Sequence, residues 1–145
     1  MTVITAFDGM ESANAVDQLL NALSGAGMRR TMAARAVAQV LVQYDCLTAA
    51  EVQARLQARD VRMDLTTVHR VLRRLADAGA VVPIPRDSSV GYRIASRSQH
   101  CLVCQSCGRV APLTGPAAAA LLAELSAAGF AAGPVTVATR CPRCH

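Results

Sequence analysis

The chain has 145 residues, 52% hydrophobic and 17% charged, a balance that suits one ordinary soluble domain or two small ones. No stretch reaches the roughly 18 apolar residues of a membrane span, and two Phe, two Tyr and no Trp leave the core to Ala, Leu and Val. The net charge of +5 is carried entirely by Arg, whose planar fork of donors reads phosphate and guanine, so the surface suits nucleic acid, although high-GC coding favours the same residue.

The start, "MTVITAFDGMESANAVDQLL", has neither the basic opening nor the apolar run of a secretory leader. The six cysteines are therefore expected in the cytoplasm, where paired cysteines more often hold metal than each other. Residues 1–12 lack periodicity and read as a loose arm. Val16, Leu19, Leu20 and Leu23 then recur at helical spacing until "SGAG" breaks the pattern.

A second helix is expected in "TMAARAVAQVLVQY", with Ala33, Val37, Val40 and Leu41 inward. Thr48 followed three residues later by Glu51 is a capping box that opens a third helix holding Val52 and Leu56. The fourth, "DLTTVHRVLRRLADAG", has Asp64 or Thr66 as cap, Val68, Leu72 and Leu75 as buried stripe, and Gly79 as stop. Its other face carries Thr66, Thr67, His69, Arg70, Arg73 and Arg74. "AVVPIP" and "GYRIA" read as a hairpin around "RDSSVG", its prolines suiting an edge.

Three helices followed by a hairpin is the winged helix-turn-helix order, with the polar face of the last helix offered to a major groove. In isolation such a basic face is equally read as solvated surface. The boundary falls near residue 95, giving a winged-helix DNA-binding domain over 1–95 and a small α/β unit over 96–145. In that unit "CLVC" and "RVAPL" are strands around Gly108, "PAAAALLAELSAAG" is a helix opened by Pro116 and stopped by Gly129, and "PVTVATR" is a strand. The overall class is α+β. At under about 50 residues the second unit needs metal, a partner chain or both.

Cys104 and Cys107 are two residues apart, as are Cys141 and Cys144, which together make a tetrahedral four-thiolate site for structural zinc. Thirty-three residues separate the pairs, so the ion would clip a helix and a terminal strand onto the first hairpin. "CLVCQSC" also has the spacing of an iron-sulfur run, but the fourth cysteine of that run is missing. No Ser/His/Asp arrangement, phosphate loop or carboxylate pair supports an enzyme.

Over about residues 25–144, "LTAAEVQARL", "LTTVHRVLRRLADAGAVV" and "LVCQSCGRV" with its distal cysteine pair resemble the ferric uptake regulator (Fur) superfamily of bacterial metal-sensing repressors, which includes zinc sensors. The resemblance implies a winged-helix domain, a hinge, and an α/β dimerisation domain stapled by four-cysteine zinc. It also implies a homodimer on a palindromic double-stranded DNA operator. Thr67, His69 and Arg70 then occupy recognition-helix positions, and Arg29 and Arg35 lie near the basic segment before the second helix.

The family's histidine-rich run before the first cysteine pair is here "RSQHC", with Cys101 at its last histidine and His100 as what remains of it. The family histidine before the third helix corresponds to Cys46. The two histidine positions that share an ion between domains in iron-sensing relatives are thus both cysteine, which favours a second zinc or another soft ion over iron. The candidate sensory ligands are Cys46, His100 and Cys101, with His69, Glu51 and His145 as supplements. A redox input through a Cys46–Cys101 disulfide, and a regulator with structural zinc only, are the alternatives.

Overall fold

The computed structural model describes residues 9–95, 100–131, 133 and 135–145. Helix α1 spans Gly9–Gly25, so it opens inside the expected arm, whose residues 1–8 lie outside the described ones. The reason is that apolar spacing marks only the buried stripe, Val16, Leu19, Leu20 and Leu23, while backbone hydrogen bonding continues beyond it. Helix α2, Met32–Leu41, opens on Thr31, whose Oγ1 accepts from the Ala34 amide at 3.0 Å. Its inward face is Ala34, Val37, Ala38, Val40 and Leu41, with Ala33 at the flank rather than inside.

Helix α3, Ala49–Gln57, is opened by the expected reciprocal box. The Thr48 hydroxyl accepts from the Glu51 amide at 3.2 Å, and the Thr48 amide donates to Glu51 Oε1 at 2.9 Å. Helix α4, Leu65–Asp77, is capped by Asp64, which accepts from the Thr67 amide at 2.6 Å and leaves Thr66 free on the surface. Val68, Val71, Leu72 and Leu75 are fully or nearly fully buried, and with the apolar stripes of α1–α3 they make one continuous core.

The wing has three strands rather than two: β1 (Leu47–Thr48), β2 (Val81–Arg86) and β3 (Ser89–Ile94), in the order β1-β3-β2, all antiparallel. A two-residue strand carries no periodicity of its own, which is why β1 is invisible in the sequence. Arg86 pairs with Ser89 across a two-residue turn, and Pro83 and Pro85 lie on the edge strand, where a missing N–H is tolerated.

The remaining elements are β4 (Cys101–Cys104), β5 (Val110–Pro112), α5 (Gly115–Ala127) and β6 (Thr136–Thr139). Strand β4 is central, antiparallel to β5 and parallel to β6. This unit buries little of itself: α5 contributes only Ala118, while Leu121, Leu122 and Leu125 are half-buried and Phe130 is 67% exposed. The two sheets meet where β2 packs on β6. Cys46, Ile84, Cys101 and Val103 form a separate buried cluster at this seam, flanked by Val82 and Val110.

Candidate metal centre and nucleic-acid interface

The four expected zinc ligands converge. One sulfur from each of Cys104, Cys107, Cys141 and Cys144 lies within 4.8 Å of the others, the one such group of three or more ligands among the described residues. Local backbone builds it from the end of β4. The Gly108 amide donates to Cys104 O at 2.9 Å, the Cys104 amide to Arg109 O at 2.8 Å, and Gly108 adopts a φ of +78° that favours glycine. The second knuckle closes in the same way, with the Cys144 amide on Cys141 O at 2.9 Å.

The donor set fits zinc. Cys107 Sγ and Cys141 Sγ are 3.8 Å apart, which matches the edge of a tetrahedron with Zn–S bonds of about 2.3 Å. The Cys104 thiol is lowered to about 6 because amides of Cys107, Cys141 and Ser106 point at its sulfur, the Cys141 amide at 3.3 Å. Hydrogen bonding to Cys141 and partial burial hold Cys144 high instead, with the Cys104 charge adding to the effect. Four adjacent thiols resist full ionisation without a cation among them, and a divalent soft ion removes that conflict while cross-linking β4 to the C-terminal segment.

The polar face of α4 is presented as expected. Thr66, His69, Arg70, Arg73 and Arg74 are all exposed and share one shallow surface with Asp77. Thr67 is half-buried and faces a second concavity, of about 660 Å³, between α2 and the start of α4, which also holds Arg35. Arg29 is exposed on the segment before α2. Arg62, which the sequence did not single out, also lines that concavity from the α3–α4 loop, two residues ahead of the Asp64 cap of α4.

The sensory candidates divide. Cys46 and Cys101 are 4% and 2% exposed and belong to the same seam cluster. A Cβ on Gly91 of β3 would come within 2.6 Å of Cys46 Sγ, so the wing closes tightly over that thiol. Burial pushes the Cys46 thiol up to about 11, offset only partly by Arg86. Cys101 Sγ lies 3.7 Å from Thr136 Oγ1.

His100 is not gathered with them: its Nδ1 accepts from the Val135 amide at 3.1 Å, and its ring lines a different cavity with Leu122, Leu125 and Phe130. His100 sits at a bend just ahead of β4, and its ring and the Cys101 thiol engage different surroundings. Among the supplements, Glu51 is engaged by Thr48 and Arg86, His69 lies on the exposed face of α4, and His145 contacts Cys141 O at 3.3 Å.

Sequence reading also left Arg86 as part of a turn, whereas the structure buries it at the meeting point of both units. Its guanidinium reaches Glu51 Oε1 at 2.8 Å, Gln105 O at 2.9 Å, Ser106 O at 2.7 Å and Cys46 O at 3.4 Å. Gln105 and Ser106 are the two residues between Cys104 and Cys107.

A model of the ferric uptake regulator family matches residues 25–137. The zinc uptake regulation protein of Mycobacterium tuberculosis is 35% identical over 89 residues, 59% of this chain and 68% of that protein. The ferric uptake regulator of Helicobacter pylori superposes with a TM-score of 0.68 at 16% identity, covering 92% of this chain and 93% of that one. A zinc uptake regulator solved with zinc and DNA gives 0.57 at 19% identity, over 91% and 93%. These two superpositions speak for the fold, and the family match carries the assignment: the chain belongs to the ferric uptake regulator family, whose members are transcriptional regulators and not enzymes.

Proposed function

We propose that the chain is a homodimeric, cytoplasmic repressor that binds a double-stranded DNA operator when zinc or another soft ion occupies an interdomain site containing Cys46 and Cys101. The observation that carries this reading is their shared buried cluster, because one thiol precedes α3 of the winged helix and the other opens β4 of the second unit. An ion bound by both would favour one arrangement of the two units. Its effect on operator affinity would be limited to its differential affinity for that arrangement. His100, held by the Val135 amide beside a different cavity, would join them only after the segment ahead of β4 rearranges.

Several features support the rest of the reading. The relative from M. tuberculosis is described as a zinc uptake regulation protein, and the superposed zinc uptake regulator was solved with zinc and DNA. The exposed arginines of α4 suit a phosphate-lined major groove. The apolar surface left open on α5 and at Phe130 suits a second copy of the chain.

The test is operator binding by fluorescence anisotropy against free zinc, for the wild type and for Cys46→Ser/Cys101→Ser. The reading requires metal-dependent binding that the double variant loses. Undiminished metal response in the variant would remove the two cysteines from the sensory role. The same cluster supports a second, redox reading, in which peroxide links Cys46 to Cys101. Mass spectrometry of digests from peroxide-treated protein decides it by the presence or absence of the linked peptide.

A further inference from the structure

Arg86 binds residues from three separate parts of the chain. From the end of β2 it donates through Nε to Gln105 O at 2.9 Å and through Nη2 to Ser106 O at 2.7 Å. Through Nη1 it reaches Glu51 Oε1 at 2.8 Å and Cys46 O at 3.4 Å. Its side chain is 6% exposed. Glu51 Oε1 is also the oxygen that accepts from the Thr48 amide to open α3.

The contact is tight and has other supports. The Asp87 amide donates to Gln105 O at 3.1 Å, the Ser106 hydroxyl donates to Asp87 Oδ2 at 2.7 Å, and Arg140 donates to Asp87 Oδ1 at 2.9 Å. A Cβ on Gly108 would lie 2.5 Å from Cys46 O and 2.8 Å from Arg86 Nη1, so only a bare backbone lets the knuckle approach this closely.

We infer that Arg86 is a positioning residue that ties the Cys104–Cys107 knuckle to the N-terminus of α3, so that the geometry of the knuckle fixes how the winged helix sits on the second unit. The physical basis is that a guanidinium is a planar fork able to hold several oxygens at once, and the carbonyls it holds belong to the loop between two zinc ligands. Loss of the ion frees Cys104 and Cys107 to move apart, and the carbonyls of Gln105 and Ser106 move with them. Arg86 then loses its anchor on one side and Glu51 loses an oriented partner on the other.

This inference rests on the four-cysteine site holding a metal but not on any operator or sensory ion, so its test needs no DNA. Hydrogen exchange read by mass spectrometry on the full chain, zinc-loaded and after chelation, follows peptides covering residues 46–57. In the wild type, chelation should speed exchange there by roughly tenfold or more, the scale of losing charge-assisted hydrogen bonds. In Arg86→Met, with a zinc content equal to that of the wild type confirmed by elemental analysis, those peptides should already exchange fast and respond little to chelation. Arg86→Lys keeps a charge for Glu51 but not the fork, and should stay close to Arg86→Met. If chelation leaves residues 46–57 protected in the wild type, or Arg86→Met keeps a full zinc-dependent change, the coupling does not run through Arg86. Wild-type protection by Arg86→Lys would likewise overturn the role of the fork.

Discussion

Glu51 Oε1 takes two donors at once, the Thr48 amide at 2.9 Å and the Arg86 guanidinium at 2.8 Å, so the atom that opens α3 also joins the winged helix to the second unit. Burial by itself would raise the Glu51 carboxyl, but the Thr48 amide and Arg86 outweigh it and hold it below its ordinary value of 4.5. A carboxyl lowered in the folded state stabilises above its unfolded value and loses that contribution as pH falls through the folded one. At constant zinc occupancy, checked at each pH, the Glu51 contribution to protection of residues 46–57 should therefore be flat from neutral down to about pH 4.5 and decline below it, and Glu51→Gln should flatten that decline. Hydrogen exchange across a pH series, corrected for intrinsic rates, checks this.

Removing one zinc ligand should undo the second unit. Cys141→Ser leaves three thiols, and structural zinc of this kind contributes on the order of 10 kcal/mol to folding. With so few buried side chains in β4–β6 and α5, no apolar core replaces it. The variant should lose stoichiometric zinc and exchange protection in β4 and β6, and α3 should loosen through Arg86, while α1, α2 and α4, which share their own core, keep their protection.

The Cys46 thiol should be inert. Raised to about 11 by burial, it holds about a hundredfold less thiolate at pH 8 than a thiol at its ordinary value of 9.0. Iodoacetamide labelling of protein carrying only the four-cysteine zinc, quantified by peptide mass spectrometry, should be slower at Cys46 by that order than in denaturant. Because the folded value is raised, the neutral thiol's contribution to stability is present below pH 9.0 and lost as pH rises through about 11.

Gly108→Ala should be costly for two reasons. The position has φ +78°, and the new methyl group would press on a backbone oxygen, Cys46 O, 2.5 Å away. A loss of about 1–3 kcal/mol is expected, read by thermal denaturation of the zinc-loaded protein. An unchanged midpoint would show that the knuckle and the Cys46 loop are not held this closely.

Replacing Arg70 with Ala should cost about 1–3 kcal/mol of operator affinity if it reads a base edge, with the loss concentrated at one operator position. A uniform loss across operator variants, with a shallower salt dependence, would make it a phosphate contact. For a dimer contacting six to ten phosphates, wild-type affinity should fall by roughly 10³ to 10⁵ between 50 and 200 mM salt.

What was legible in the sequence was local. Thr48 and Glu51 announce α3 because a capping box spans four residues, and the cysteine pairs announce a metal because both thiols of a knuckle lie within one turn. Arg86 was not legible: its partners are 19, 20, 35 and 40 residues away, and a lone Arg in a hairpin turn gives no pattern to read. The separation of His100 from Cys101 was not legible either, because His100 lies at a bend ahead of β4, where no strand alternation sets its direction and the Val135 amide, 35 residues on, holds its ring. Which of Asp64 and Thr66 caps α4 was settled only by the Asp64 side chain reaching the Thr67 amide.

The measurement that bears most directly on the proposed metal response is zinc per chain by elemental analysis, after equilibration with excess zinc and removal of the free ion, for the wild type and for Cys46→Ser/Cys101→Ser. The account predicts about two ions in the wild type and about one in the double variant, the latter held by Cys104, Cys107, Cys141 and Cys144. Equal content in both proteins would contradict a metal site at the Cys46–Cys101 seam.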